Sequence, residues 1–275
     1  SNSAVNATKV YDASKTATVS DQGTLAGAVS GDSVSLASTT ATYDNANVGT
    51  GKTVTFIYTL ANNTDGNYST PSSTTTTADI TAKQLSVSGT SVLDKIYDGN
   101  THATLDNPGT LVGAMSGDNL SLSTTASFDH KDAGTNKTVT LTYTIENISD
   151  NYIAPKSPDV TANITPKTLE ILGASANDKV YDATTSAVLD SNGSLNSNGI
   201  ISDDDVNITS ITAEFSNKNV GTNKDVLLSY NLKGRDAENY KATATLTASI
   251  TPKTLQISGS KVEDKPYTGE RSANI

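Results

Sequence analysis

One short segment fixes the organisation of this chain. KVYDA at 9–13 returns as KIYDG at 95–99, as KVYDA at 179–183 and as KPYTG at 265–269. Its tyrosines, Tyr11, Tyr97, Tyr181 and Tyr267, stand 86, 84 and 86 residues apart. Other columns keep the same frame. GTGKTV at 49–54 matches GTNKTV at 134–139 and GTNKDV at 221–226, and GNY at 66–68 matches DNY at 150–152 and ENY at 238–240. ITAKQLSVSG at 80–89 matches ITPKTLEILG at 164–173 and ITPKTLQISG at 250–259. A period of about 85 residues is too long for a solenoid turn and long enough for a small domain. The 275 residues therefore read as repeats at 1–82, 83–166 and 167–252, with a fourth beginning at 253–275.

Within a repeat, hydrophobic periodicity specifies strands. TVTFIYTL at 53–60 alternates, with Val54, Phe56, Tyr58 and Leu60 on one face. Val139, Leu141, Tyr143 and Ile145, then Val226, Leu228, Tyr230 and Leu232, stand in the same places. Period two with polar residues between is the pattern of a strand buried on one face. Ala244, Leu246, Ala248 and Ile250 do the same in the run 242–250, and Gly-, Asn- and Asp-rich clusters such as SGDN at 116–119 separate the runs. Roughly seven short strands per repeat predict an all-β chain of tandem small β-sandwich domains, Ig-like or ubiquitin-like, in an elongated array. TPK at 165–167 and 251–253 marks the joints, because proline cannot donate to a ladder and holds its predecessor extended. Joints this short restrict hinge motion. Whether the TLxIxG run closes one repeat or opens the next is open at this level, and the first repeat begins without it.

Composition narrows the chemistry. Net charge is −10, which disfavours nucleic acid and anionic membranes as partners. There is no cysteine, so disulfides and thiolate chemistry are excluded. No apolar run approaches the roughly 20 residues of a membrane span and no signal peptide opens the chain, so a soluble piece of something longer is expected. Gly-rich phosphate loops, GxSxG and HExxH are all missing from the sequence, and His102 and His130 do not recur. No enzyme is expected.

With KxYDG, GTxK, NY and ITPKxLxxxG in hand, the chain resembles the YDG-domain family, found as tandem modules of filamentous-haemagglutinin-like and other large bacterial adhesins. Ala13 and Ala183 replace the glycine of YDG, Ala82 replaces the proline of ITPK, and Pro266 and Thr268 break the fourth copy. The resemblance implies an extracellular, cell-surface location and an adhesin context; it carries no active site to transfer.

Several constellations could bear function. Of 14 aromatic residues, 13 fall in four columns: the KxYD tyrosines, Tyr43/Phe128/Phe215, Tyr58/Tyr143/Tyr230 and Tyr68/Tyr152/Tyr240. Such repetition reads as core anchoring rather than a sugar-stacking platform. Lys9–Asp12, Lys95–Asp98 and Lys179–Asp182 read as turn or inter-domain pairs. Asp94, Asp98, Asp178 and Asp182 cluster near the boundaries and are the candidate ligands for Ca²⁺, which takes several carboxylate oxygens. A Lys–Asn isopeptide could join Lys52/Lys137/Lys224 to Asn67/Asn151/Asn239, although GTxK reads as a turn before a strand with its lysine exposed. GTLAGAVSGD at 23–32 matches GTLVGAMSGD at 109–118, but the third copy departs to GSLNSNGIISDD at 193–204. The acidic run Asp203, Asp204 and Asp205 reads first as a solvated loop and second as the candidate site for a host-surface or bacterial-surface glycan or protein. The leading expectation is mechanical: three spacers, projecting a distal head by about 100 Å if each strand of eight to ten residues spans roughly 26–34 Å. The alternative is a ligand-binding module working through the repeat-3 loop.

Overall fold

The computed structural model describes residues 2–271; the last four residues of the incipient fourth repeat, 272–275, lie outside them. It falls into two compact units. One comprises Ser1–Lys95, Thr101–His130 and Asn136–Asn163, the other Ile96–Asn100, Lys131–Thr135 and Ile164–Ile275. Apart from two short 3₁₀ turns, the regular structure of the described residues is all β.

Repeat 1, in the first unit, contains strands β1 (Ala4–Val5), β2 (Thr8–Val10), β3 (Thr16–Ala17), β4 (Val19–Asp21), β5 (Ser35–Tyr43), β6 (Gly49–Ala61) and β7 (Thr74–Thr81). Five of them form a sheet in the order β2-β7-β6-β5-β3, and β1 pairs β4 separately. The long hairpin β5–β6 runs from Tyr43 opposite Val54 to Leu36 opposite Leu60. Its alternating face buries Ala41, Tyr43, Val54 and Phe56, joined by Ala78 and Ile80 of β7. Val5 and Val19 of the small sheet pack on this face, which makes the two-layered small β domain that the periodicity predicts. Repeats 2 and 3 rebuild the hairpin with Phe128 opposite Val139 and Phe215 opposite Val226.

The GTxK column is not a turn before a strand. It lies inside the long strand as a bulge, with the register shifting between Gly49 and Lys52 and between Gly221 and Lys224. Gly51, Asn136 and Asn223 supply the left-handed residue, the conformation that glycine and asparagine tolerate. The bulge swings the lysine back over the hairpin end, against the expectation that it is exposed. The Lys52 side chain is 9% exposed, with Nζ 3.1 Å from Asp44, and Lys137 is 11% exposed beside Asp129.

The TLxIxG run opens the following repeat. Strand β8 (Lys83–Gln84) pairs in parallel with Tyr152–Ile153 of repeat 2, and β9 (Ser86–Ser88) pairs antiparallel with Thr110–Val112. Repeat 3 does the same: Lys167–Leu169 lies parallel to Tyr240–Ala242, and Ile171 lies opposite Leu195. Leu85 and Leu169, central to these strands, are buried. One residue, Ala82 or Pro166, separates the last strand of one repeat from the first of the next.

Candidate functional site at the repeat joints

The KxYD segment is a closed loop. Lys9 Nζ donates to Asp12 Oδ1 at 2.7 Å and to the carbonyls of Ser14 and Thr16, while Asp12 also accepts the Ser14 amide. Lys179 repeats this with Asp182, Thr184 and Ser186. The ammonium groups of Lys9, Lys95 and Lys179 sit over the rings of Tyr43, Phe128 and Phe215, a favourable cation–π arrangement. Hydrogen bonds from Lys179 and Thr184 hold the Asp182 carboxyl well below the usual carboxylate range. The loop thereby projects its tyrosine outward along the end of the repeat, with Tyr11 N and Tyr181 N donating to the carbonyls of Thr81 and Thr251.

In the first unit, Tyr11 meets repeat 2. Its hydroxyl donates to Asp118 Oδ2 at 2.8 Å, and Tyr152 OH donates to the same oxygen at 2.6 Å. Tyr152 OH in turn accepts the Met115 amide. The Tyr11 and Tyr152 rings meet edge to face, centroids 5.3 Å apart. Beside them Asn151 Oδ1 accepts the Val48 amide, and its Nδ2 donates to Asn47. Burial and the neighbouring Asp118 carboxylate push the Tyr11 phenol up to about 12, since both disfavour a phenolate.

The second unit contains the same joint, one repeat later. Tyr97 OH and Tyr240 OH donate to Asp204 Oδ2 at 2.9 and 2.6 Å, Tyr240 OH accepts the Ile201 amide, and the rings lie 5.4 Å apart edge to face. Asn239 Oδ1 accepts the Ala133 amide at 2.7 Å. A cation is added: Lys131 Nζ reaches Tyr97 OH at 3.1 Å and Asp204 at 3.3 Å. Asp236 lies 4.0 Å from Lys131 and pairs with Arg235; the Asp205 amide and these cations keep its carboxyl below the ordinary range.

The family model for the YDG domain matches residues 1–77, 81–161 and 165–248. The chain belongs to the YDG-domain family. No curated protein matches it. Among solved structures it is similar to three N-terminal domains of the bacteriophage RB49 highly immunogenic outer capsid protein Hoc, at 13% identity and a TM-score of 0.28, covering 89% of this chain and 96% of that one. It is also similar to Drosophila N-cadherin EC1-4, at 6% identity and a TM-score of 0.23, covering 90% and 73%. Domains 4–9 of surface layer protein SbsC match at 14% identity and a TM-score of 0.19, covering 93% and 48%. TM-scores this low bear on neither fold nor role.

Seven of the residues singled out from the sequence of these YDG repeats meet at the joints: Tyr11, Tyr97, Asn151, Tyr152, Asp204, Asn239 and Tyr240. Asp204 is not part of a solvated loop: its side chain is 2% exposed. It belongs to a column, Asp32/Asp118/Asp204, whose members stand 86 residues apart. Two extra residues ahead of Asp204 hid that column. Of its neighbours, Asp203 is left-handed and offers its carbonyl to Arg235, while Asp205 accepts from Asn207. The boundary carboxylates satisfy local donors: Asp94 the amide and side chain of Asn163, Asp98 the Asn100 amide, and Asp178 the Ser249 amide. Among the described residues no three His, Asp or Glu side chains group to hold a metal. The lysine and asparagine columns of the isopeptide reading have separate partners, Lys52 bonding Asn45 and Lys224 bonding Asn217.

Proposed function

We propose that this chain is a spacer segment of a bacterial cell-surface adhesin, exported from the cell and projecting a distal binding region. One observation carries the reading: three recurring columns, the KxYD tyrosine, the NY tyrosine and the Asp118/Asp204 carboxylate, hold neighbouring repeats together. A Tyr–Asp–Tyr hydrogen-bond set with an edge-to-face ring pair occurs at both joints. Buried, mutually satisfied polar groups of this kind hold their partners together, because parting them leaves a carboxylate without donors. A ligand-binding role through the repeat-3 loop is less well supported, since its central carboxylate is already engaged. In this reading the segment has no catalytic role, requires no calcium, and its partners are neighbouring YDG repeats rather than nucleic acid or membrane. Small-angle scattering tests it: a radius of gyration well above the roughly 19 Å of a compact globule of this length is expected, unchanged by chelator. A compact profile would overturn the spacer reading.

A further inference from the structure

Among the described residues tyrosine meets tyrosine in two places, and both are joints. Tyr11, Tyr97, Tyr152 and Tyr240 are all buried. Their ring centroids, 5.3 and 5.4 Å apart, lie toward the close end of the roughly 4.5–7 Å range of aromatic pairs. In each pair both hydroxyls donate to a single carboxylate oxygen, Asp118 Oδ2 or Asp204 Oδ2, over 2.6 to 2.9 Å. Convergence on one atom draws the hydroxyl ends of the rings together, and with them the ortho carbons that flank each hydroxyl. Tyr43, Tyr143 and Tyr230 end differently, on the Asp79 carbonyl, Thr90 Oγ1 and the Asn192 carbonyl.

Such a pair meets the requirements of oxidative coupling. A phenol gives up an electron readily only if its proton leaves with it, and burial together with the carboxylate holds the Tyr11 and Tyr152 phenols protonated. Asp118 Oδ2 stands within proton-transfer reach of both hydroxyls. Groups already held side by side react as one molecule rather than two. Burial keeps the rings of other chains away, whereas an electron passes to an oxidant at the surface without contact. The sequence has no cysteine, so a covalent brace between its repeats cannot be a disulfide.

We propose that the joint tyrosines are a modification site, at which a one-electron oxidant derived from a peroxide joins Tyr11 to Tyr152 and Tyr97 to Tyr240 as dityrosine. Each phenol gives one electron to the oxidant and its hydroxyl proton to the shared carboxylate, which passes it to solvent. The two phenoxyl radicals couple through their ortho carbons, and the hydrogens on those carbons move to the oxygens, restoring both phenols. One C–C bond forms, two C–H bonds break, the two electrons reduce the O–O bond of the peroxide, and two protons are left to solvent. The joints differ in rate. Lys131 Nζ, 3.1 Å from Tyr97 OH, opposes removal of an electron from that ring, so the first joint closes sooner. The inference rests on the geometry of the joints and holds whether or not the chain is a spacer.

Illuminating the full chain at low concentration with ruthenium tris-bipyridyl and persulfate, a peroxide, tests this. The monomer should lose two hydrogens per link, gain dityrosine fluorescence, and yield peptides in which Tyr11 is joined to Tyr152 and Tyr97 to Tyr240. Tyr11→Phe, which keeps the ring, should lose the first link and retain the second. Lys131→Ala should quicken the second link by about tenfold. Unfolding the chain in urea before illumination should abolish both. A folded chain that consumes persulfate without linking either pair, links confined to Tyr58, Tyr143 or Tyr230, links between chains in place of the pairs within one, or equal yields from folded and unfolded chains each overturn the proposal.

Discussion

The two joints share a scaffold and differ in charge. Around Asp118 stand two phenols; around Asp204 stand two phenols and the Lys131 ammonium. The position of Lys131 in the repeat frame is Ala46 in repeat 1. The carboxylate of the first joint is thus carried by neutral donors, whose hydrogen bonds to a charged acceptor are themselves strong. In the second joint a cation shares the load, and Asp236 with Arg235 extends the network. The comparison teaches that the phenols and rings define the joint, while the cation modulates it. Ion pairs open to water contribute little compared with burial of an aromatic ring.

The largest expected effect is therefore loss of a ring. Tyr97→Ala should destabilise its joint by about 3–5 kcal/mol and Tyr11→Ala by a comparable amount, read from denaturant midpoints of the full chain with hydrogen exchange assigning the loss to a joint. If either variant cost less than about 1 kcal/mol, the ring pair would not define the joint. Next come the carboxylates. Asp204→Ala strands two phenols and a cation and should cost about 3 kcal/mol; Asp118→Ala strands two phenols and should cost about 2 kcal/mol. Equal losses would erase the distinction between the joints.

Alkali gives a subtler separation. The Tyr11 phenol is raised from 10.0 to about 12 in the folded chain. A raised folded value means that the stabilisation is fully present below pH 10 and is lost as pH climbs from 10 to 12. Protection of the first joint should fade in that window, and Tyr11→Phe should remove this tyrosine's share of the dependence. The smallest effect is the charge swap. Lys131→Ala should cost no more than about 1 kcal/mol, and Ala46→Lys should add at most that to the first joint. Added salt should shrink both changes.

The fold was largely legible in the residues because one-face burial writes itself as alternation: Val54 and Phe56 face the core as their spacing requires. The GTxK lysines were misjudged because a bulge and a turn draw on the same glycine and asparagine, and only strand register distinguishes them. The boundary aspartates suggested calcium because carboxylates that bind cations also cap loop amides; Asp94 and Asp178 do the latter. The tyrosine columns marked buried rings without saying which repeat buries them, since periodicity is blind to neighbours. Tyr11 lies in a cluster with Tyr152 of the next repeat. TPK marked where the joints lie, but the Asp32/Asp118/Asp204 spacing was the sign of the carboxylate at their centre, and the acidic company of Asp204 obscured it.

The pairing of β2 with β7 has a mechanical consequence. Thr8, Lys9 and Val10 lie opposite Asp79, Ile80 and Thr81 in parallel, and Lys179 and Val180 lie opposite Ile250 and Thr251 in the same sense. Repeat 3 is entered through Lys167–Leu169, itself parallel to Tyr240–Ala242, and is left through the same last strand, which ends at Thr251. Tension on the two ends pulls parallel neighbours in opposite directions along their length, so every rung of the ladder is sheared at once instead of peeled one after another. Rupture under load is governed by an unfolding rate rather than by equilibrium stability. A repeat of modest thermal stability can therefore still resist a pulling force in the one direction that a tether experiences.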